Sequence, residues 1–495
     1  QAADQLLQTA TQKGTQFEYQ DQDVINTTFR GGKIKELPGI YNYTATDDKF
    51  HTVKDPVIIH YNGDVKPWST ERRCPNTMAS RYFAYLRLTP YRKFRSEFVR
   101  SRIVRTLKKA AGIDVYPSRV KVALIVDEYF GACGTAYGGY GFLARNYIAR
   151  YLPDTNISVE VLLSNKHRWK FAPNALTEKV DNRKVIVPPG RFFARQWLKK
   201  KKYDIYLTVE LTHNILKYER RSKPIIHWIQ DPRPWSEWLE IQTVKLFPEN
   251  SYWSSSLYDS VNKLYGKGLV TFVSQGYFLN DKAIELYRLP GDAPIAYMPN
   301  PIDIDYGFDP ESYPKKNHIL FIGRIESIKR GWLFCEIAKQ LPQYEFFMLG
   351  QTFREKSQNE SIMAGYRDIP NLHFVGHVEG EEKMKYIREA KILVNTSIHE
   401  ALPITFLEAL AYGTLLVSCR NPEDLTSKFG RYTGPVLGNG FDKVPLFTSA
   451  IEELIENEGL RKELSCKAVE YIREIHPVHK FQQHMRKLIH DLAHK

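Results

Sequence analysis

The feature that most constrains this chain is a succession of short apolar segments, rich in β-branched residues and separated by helical or loop sequence. They fall into two series. The first reads Val122–Val126, Val159–Leu163, Ile205–Val209, Ile225–Ile229 and Val270–Val273. The second reads His318–Ile322, Glu345–Leu349, Leu372–Val375, Ile392–Val394 and Leu415–Ser418. Segments this short, apolar along their length rather than at alternate positions, suit strands covered on both faces. Covered strands alternating with helices imply parallel sheets with right-handed crossovers. The pattern predicts an α/β protein with two doubly wound, Rossmann-like domains facing a cleft. In such sheets ligands bind beyond the C-terminal ends of the strands.

With 495 residues there is room for more than this pair. The predicted divisions are an N-terminal segment 1–70, a basic linker 71–117, a first domain 118–303, a second domain 304–475 and a C-terminal helix 476–495. The first domain opens as strand, glycine-rich loop (Gly131 to Gly141) and helix (Phe142 to Tyr151). The loop lacks the spacing of a dinucleotide fingerprint, which argues against an NAD enzyme.

No run of 18 or more apolar residues occurs, so no transmembrane helix is predicted. The five cysteines, Cys74, Cys133, Cys335, Cys419 and Cys466, show no metal-ligand spacing and suit a reducing cytoplasm. The net charge of +14 is uneven: Glu71 to Ala110 holds twelve Lys or Arg and two acids. Within it Phe94, Phe98 or Val99, Ile103 and Leu107 recur at helical spacing among Arg95, Arg100, Arg102, Arg105, Lys108 and Lys109. Two readings stay open for this basic amphipathic helix. Either it meets an anionic membrane surface, placing the protein on the inner face of the cell membrane, or it packs on a neighbouring domain. No nucleic-acid-binding module accompanies the charge, so nucleic acid is not an expected partner.

Two segments carry the chemistry. The first is Ser397 to Gly413, SIHEALPITFLEALAYG. Pro403 suits a helix start and Gly413 the residue past a helix end. The amides of Ile404, Thr405 and Phe406 are expected to be unpaired at that start. With the helix dipole behind them they form an anion site suited to a diphosphate. Glu400 precedes the helix and Glu408 lies inside it, placed to accept from hydroxyls on either side of that diphosphate. The second segment, Phe321 to Gly331, leads a strand into a loop holding Arg324 and Lys329. Cations there neutralise a departing diphosphate. His227 ends a predicted strand and is either a contact to the acceptor or reacting sugar, or a satisfied core histidine.

These segments resemble glycosyltransferase family 4, of fold GT-B, over roughly residues 118 to 480. The family's Arg-x4-Lys pattern falls on Arg324 and Lys329, and its Glu-x7-Glu pattern on Glu400 and Glu408. Asn300-Pro301-Ile302-Asp303 stands where the family usually has Asn-Gly-Val-Asp, with Pro301 a departure. The resemblance implies retention of anomeric configuration without a metal cofactor. It assigns the donor diphosphate to Arg324 and Lys329 beside Gly323, the ribose to Glu408, and the transferred sugar to Glu400. Gly376-His377-Val378 would lie near the base, and Gly138-Gly139 near phosphate and acceptor.

The N-terminal segment has its own signature: Asp21-Gln22-Asp23, Leu37-Pro38-Gly39, then His60-Tyr61-Asn62-Gly63-Asp64-Val65-Lys66. It resembles the C-terminal half of a glycosyltransferase family 8 domain, of fold GT-A. That resemblance implies manganese on His60, the donor diphosphate near Gly63 and Lys66, and the reacting sugar by Asp21 and Gln22. The family's nucleotide-binding strands and its own Asp-x-Asp metal motif lie upstream of the matched half, and a chain that begins at Gln1 has no room for them, so the expectation is a piece of a longer bifunctional enzyme.

The combined reading is a retaining glycosyltransferase. It would move sugar from a nucleoside diphosphate sugar to a growing glycan or lipid-linked glycan in bacterial polysaccharide or lipopolysaccharide assembly. A GT-B nucleotide-sugar epimerase and a non-catalytic scaffold are the alternatives.

Overall fold

The computed structural model describes residues 43–44, 59–60, 79–89, 99, 119–164, 168–210, 216, 222–246, 253–352 and 356–493. The chain divides into two compact units, Gln1–Ser118 and Arg119–Lys495. In the first, β1 (Tyr43–Thr44) pairs in parallel with β2 (Ile59–His60), and a helix spans Ala79–Leu86. Asp21, Gln22, Gly63, Lys66 and the side chain of His60 lie outside the described residues. So does the basic stretch from Phe94 to Lys109, apart from an exposed Val99.

The second unit holds two sheets. The first contains β3 (Val120–Ile125), β4 (Ile157–Leu162), β5 (Leu176–Val180), β6 (Arg183–Val187), β7 (Ile205–Val209), β8 (Ile225–Ile229), β9 (Val270–Ser274) and β10 (Ile295–Tyr297). Its order is β10-β9-β8-β7-β3-β4-β6-β5. The second contains β11 (Lys316–Ile322), β12 (Glu345–Leu349), β13 (Leu372–Gly376), β14 (Ala390–Asn395), β15 (Leu415–Ser418) and β16 (Gly430–Tyr432), ordered β13-β12-β11-β14-β15-β16. All pairings are parallel except β5 with β6. This is the GT-B arrangement.

The burial pattern explains the apolar runs. β3 sends Val122 and Leu124 into one hydrophobic cluster, and Ala123 and Ile125 into another on the opposite face. In the second sheet Leu320, Leu393 and Leu416 enter the cluster shared with the first sheet, while Ile319, Ile392 and Leu415 enter a separate one. The antiparallel hairpin β5–β6 departs from the all-parallel expectation. Its first strand, Leu-Thr-Glu-Lys-Val, is mostly exposed and so lacks an apolar run. Its turn residues Asp181 and Asn182 have φ of 47° and 61°, suiting the two-residue turn that matches strand twist.

The chain crosses between the sheets twice. Ile302 N–H donates to His476 O at 2.9 Å, and Ile302 pairs with Pro477, so the two crossings lie side by side. Pro477 separates the helix Glu458–Ile475 from the last helix, Val478–Ala493, because proline cannot continue the ladder. The last helix returns to the first sheet. Phe481 stacks on Trp228 at 5.5 Å, and Arg486 donates to the carbonyls of Tyr151, Leu152 and Pro153.

Candidate active site

The loop after β11 is held by its neighbours. A Cβ on Gly350 would lie 1.8 Å from Gly323 O, so the loops after β11 and β12 touch backbone to backbone. Arg330, in the left-handed region at φ 47°, is fully buried. Its guanidinium donates to Thr396 O at 2.6 Å, Val436 O at 2.9 Å, Gly438 O at 3.0 Å and Cys419 Sγ at 3.3 Å. It ties this loop to the loops after β14 and beyond β16, and its neighbour Lys329 is aimed by that clasp.

Lys329 Nζ meets Glu400 Oε1 at 2.5 Å. The same oxygen accepts from Ser397 Oγ at 2.6 Å and Asn395 Nδ2 at 3.0 Å. Burial pushes the Glu400 carboxyl up, but Lys329 and the two hydrogen bonds outweigh it, and the group titrates below its ordinary range. The structure thus joins the second member of one motif, Lys329, directly to the first member of the other, Glu400. Arg324 is about a quarter exposed (28%) and approaches the buried Glu326 at 3.4 Å.

The helix after β14 spans Ile404–Ala411 with Pro403 as its N-cap. No hydrogen bond among the described residues reaches the amides of Ile404 and Thr405. Phe406 N–H departs from expectation: it donates to Pro403 O at 3.0 Å, because the first turn is tightened. The first-turn amides left without a hydrogen bond are therefore two rather than the expected three. Gly413, at φ +61°, closes the helix as expected. Glu408 is buried, and its Oε1 accepts from Lys383 Nζ at 2.6 Å. Its Oε2 is buried without a hydrogen-bond partner, leaving an acceptor for a hydroxyl. Lys383 also lies 4.5 Å from the centroid of Phe142, which carries the first sheet's glycine-loop helix.

In that helix Gly138 and Gly139 differ. A Cβ on Gly138 would fall 2.0 Å from Glu128 Oε1, whereas Gly139 faces open space. Glu128 Oε1 also accepts from Gly141 N–H at 3.2 Å, so a carboxylate of this chain already occupies part of the helix start. Gly376 has φ +85° and its carbonyl accepts from Gly350 N–H. The His377 ring lies 5.5 Å from Tyr137 and 6.2 Å from Phe130, so the two glycine-rich loops meet through aromatic rings. Val378 is half-buried against the shared apolar cluster.

His227 lies inside β8 and is buried. Its ring meets Thr208 Oγ1 and Glu210 Oε1 at 3.3 Å, between Phe272 and Tyr287. Of its two readings, the satisfied core histidine describes this placement. Glu210 accepts from the Gln230 and Asp231 amides at 2.9 and 2.8 Å, and from Tyr287. The network fixes the turn that presents Asp231.

Asp231 leads to contacts that the sequence did not disclose. His399, next to Glu400, meets Asp231 Oδ1 at 2.7 Å through Nε2 and Glu237 Oε2 at 2.6 Å through Nδ1. Both carboxylates belong to the first sheet's side and the histidine to the second. Burial would raise both carboxyls. At Asp231 the Arg233 guanidinium and the contact with His399 overcome it, and at Glu237 the contacts with His399 and Lys282 do so, holding Glu237 at about 2. Arg420 with Glu240, at 3.1 Å, and Gly438 N–H with Thr243 Oγ1, at 2.9 Å, fasten the same seam. Asn300 is buried between Gln230 and Gln275, while Asp303 bonds Tyr151 at 2.5 Å and pairs with Arg150 at 3.4 Å. Loop 300–303 thus anchors the crossing.

Known proteins agree with this layout. Residues 305–470 match the model "Glycosyl transferases group 1", and residues 2–72 match "Glycosyl transferase family 8". The chain carries a glycosyltransferase. Solved structures share the fold of the enzyme. A sucrose-phosphate synthase from Thermosynechococcus elongatus has TM-score 0.55 at 14% identity, over 76% of this chain and 99% of that one. The pneumococcal O-GlcNAc transferase GtfA, solved with UDP and GlcNAc, has TM-score 0.55 at 13% identity, over 76% and 100%. HepE from Anabaena, solved with UDP-glucose, has TM-score 0.52 at 12% identity, over 75% and 99%. Identities this low speak for the fold alone. No curated protein matches this sequence. Among the described residues no helix is long and apolar enough to cross a membrane.

Proposed function

We propose that this enzyme is a family 4 transferase that moves a sugar from a nucleoside diphosphate sugar, with retained configuration. The acceptor would be a growing glycan or lipid-linked glycan in bacterial polysaccharide or lipopolysaccharide assembly. The observation that carries the reading is the Lys329–Glu400 pair at the C-terminal lip of the second sheet. A diphosphate near Arg324 and Lys329 draws the ammonium toward its oxygens as negative charge grows on the leaving group. Glu400, still held by Ser397 and Asn395, then turns an acceptor oxygen to the hydroxyls of the transferred sugar. The first-turn amides of Ile404 and Thr405 meet the other side of the diphosphate. Glu408 Oε2 accepts from the ribose. Catalysis on this scheme needs no metal; the cations of the chain carry that role.

His399 is proposed as a positioning residue that registers the two halves of the cleft. For residues 2–72, which match the family 8 model, we propose a family 8 role in which His60 would hold manganese. The deciding experiment incubates the enzyme with nucleoside diphosphate sugars, UDP-sugars first, and follows release of the diphosphate and the anomeric configuration of the product by NMR. Release of diphosphate with an inverted product would overturn retention. Epimerised donor without transfer would overturn the transferase reading.

A further inference from the structure

Two loops leave neighbouring strands at the outer edge of the first sheet. β4 ends at Leu162 and is followed by the segment bearing Trp169 and Phe171. β6 ends at Val187 and runs through Gly190 into the helix Arg191–Lys201. Since β3, β4, β6 and β8 run the same way, both loops emerge at the end of the sheet that also presents Gly138-Gly139 and Asp231. β5 runs oppositely and starts there, with Leu176 opposite Val187.

The loops are fastened together. Gly190 N–H donates to Ala172 O at 2.9 Å and Phe192 N–H to Lys170 O at 3.3 Å. A Cβ on Gly190 would lie 2.3 Å from Trp169 O, so only glycine permits this approach. Phe171 and Phe192 stack at 4.6 Å with an interplanar angle of 4°. Yet the rings face outward: Trp169 is 68% exposed, Phe192 57%, Phe171 42% and Phe193 37%, beside Leu176 at 57%. The inward side of the same helix is satisfied separately, with Ala194 and Leu198 buried in the core. A contiguous apolar surface of this kind marks an interaction site.

Its border is cationic. Lys170 Nζ lies 5.2 Å from the Phe171 ring, and the Arg191 guanidinium 5.4 Å from Phe192. Arg195, Lys199 and Lys200 are exposed on the same helix. Neither residues 164–177 nor 182–203 contain an Asp or Glu. Aromatic rings bordered by cations complement a layer that is apolar inside and anionic outside.

We propose that this rim docks the enzyme onto an anionic lipid bilayer, with Trp169, Phe171, Phe192 and Phe193 entering the headgroup zone and the cations meeting lipid phosphates. Docking there brings the strand-end lip of the first sheet against the bilayer, where a lipid-borne acceptor would reach the cleft. That last consequence rests on the proposed acceptor class; the docking itself does not.

The test is co-sedimentation of the full chain with vesicles of phosphatidylcholine, with and without phosphatidylglycerol, at low and physiological salt. Binding is expected only with the anionic lipid and should weaken as salt rises. Trp169→Ser/Phe192→Ser should lower it at least tenfold, and Lys199→Glu/Lys200→Glu comparably, with unchanged circular dichroism and melting. Equal vesicle binding by the aromatic variant, or no binding by the parent, overturns the proposal. So does a change from dimer to monomer in the variant without a lipid effect, which would make the face a contact between copies. Vesicle binding without sugar transfer keeps the surface and defeats the proposed function instead.

Discussion

Lys329 and Arg330 are adjacent cations put to opposite uses. Lys329 reaches the lip of the second sheet and forms an ion pair with Glu400. Arg330 turns the other way, through a left-handed backbone, and spends its guanidinium on three carbonyls and a thiol in the core. Sign of charge does not separate them. What separates them is burial: one charge stays partly exposed to solvent, while the other is satisfied by carbonyls and a thiol in the core. The lesson extends to the carboxylates. Glu400 and Glu210 are both enclosed and hydrogen-bonded, but Glu400 is held by side chains at the cleft and Glu210 partly by the amides of Gln230 and Asp231.

The contrast breaks if Arg330 proves dispensable. Arg330→Met leaves several buried acceptors unpaired and should cost about 3–5 kcal/mol, read from the denaturant midpoint. A variant as stable as the parent would remove Arg330 from its structural role. Glu400→Gln keeps the groups that hydrogen-bond the side chain but loses the charge. Sugar transfer should fall by roughly 10²–10³-fold with little change in the circular dichroism spectrum. A loss confined to melting temperature would move Glu400 to the structural side of the comparison.

The seam between the sheets sharpens the comparison through pH. Glu237 is held at about 2, below its ordinary range, so its ionised form is favoured in the folded state. Its stabilisation is present above the unfolded value and is lost as pH falls through the folded one. Melting temperature should therefore drop between about pH 4.5 and pH 2 more steeply in the parent than in Glu237→Gln. Parallel curves would show that His399 does not discriminate the charged form. The smallest effect concerns two glycines. Gly138→Ala drives a methyl into Glu128 and should lower the melting temperature by several degrees, on the order of 1–3 kcal/mol, whereas Gly139→Ala, facing open space, should stay within about 0.5 kcal/mol.

The fold was legible because covered parallel strands write themselves as apolar runs. β7, β8, β12 and β15 fall on the segments read from sequence. β5 was hidden because an exposed edge strand has no apolar requirement to display. At the proposed site, the motif spacing singled out Lys329 and Glu400, which the structure brings into contact, and Pro403 and Gly413 delimited a helix whose ends follow local backbone rules. Local rules did not show that Phe406 would satisfy its own amide, or that Glu128 would sit at the glycine-loop helix.

Sequence alone determined what depends on neighbours along the chain: strand runs, helix ends and the charged residues offered by each loop. Tertiary structure decided which charges meet. His399 contacts Asp231 and Glu237 across 168 and 162 residues, and Arg330 reaches carbonyls 66 to 108 residues away. Such pairings carry no periodicity or spacing, because they depend on how two sheets are set against each other and not on any local preference. Lys329 and Arg330 look alike as sequence for the same reason: only the packed domain determines which of two neighbouring cations has its partners in the core.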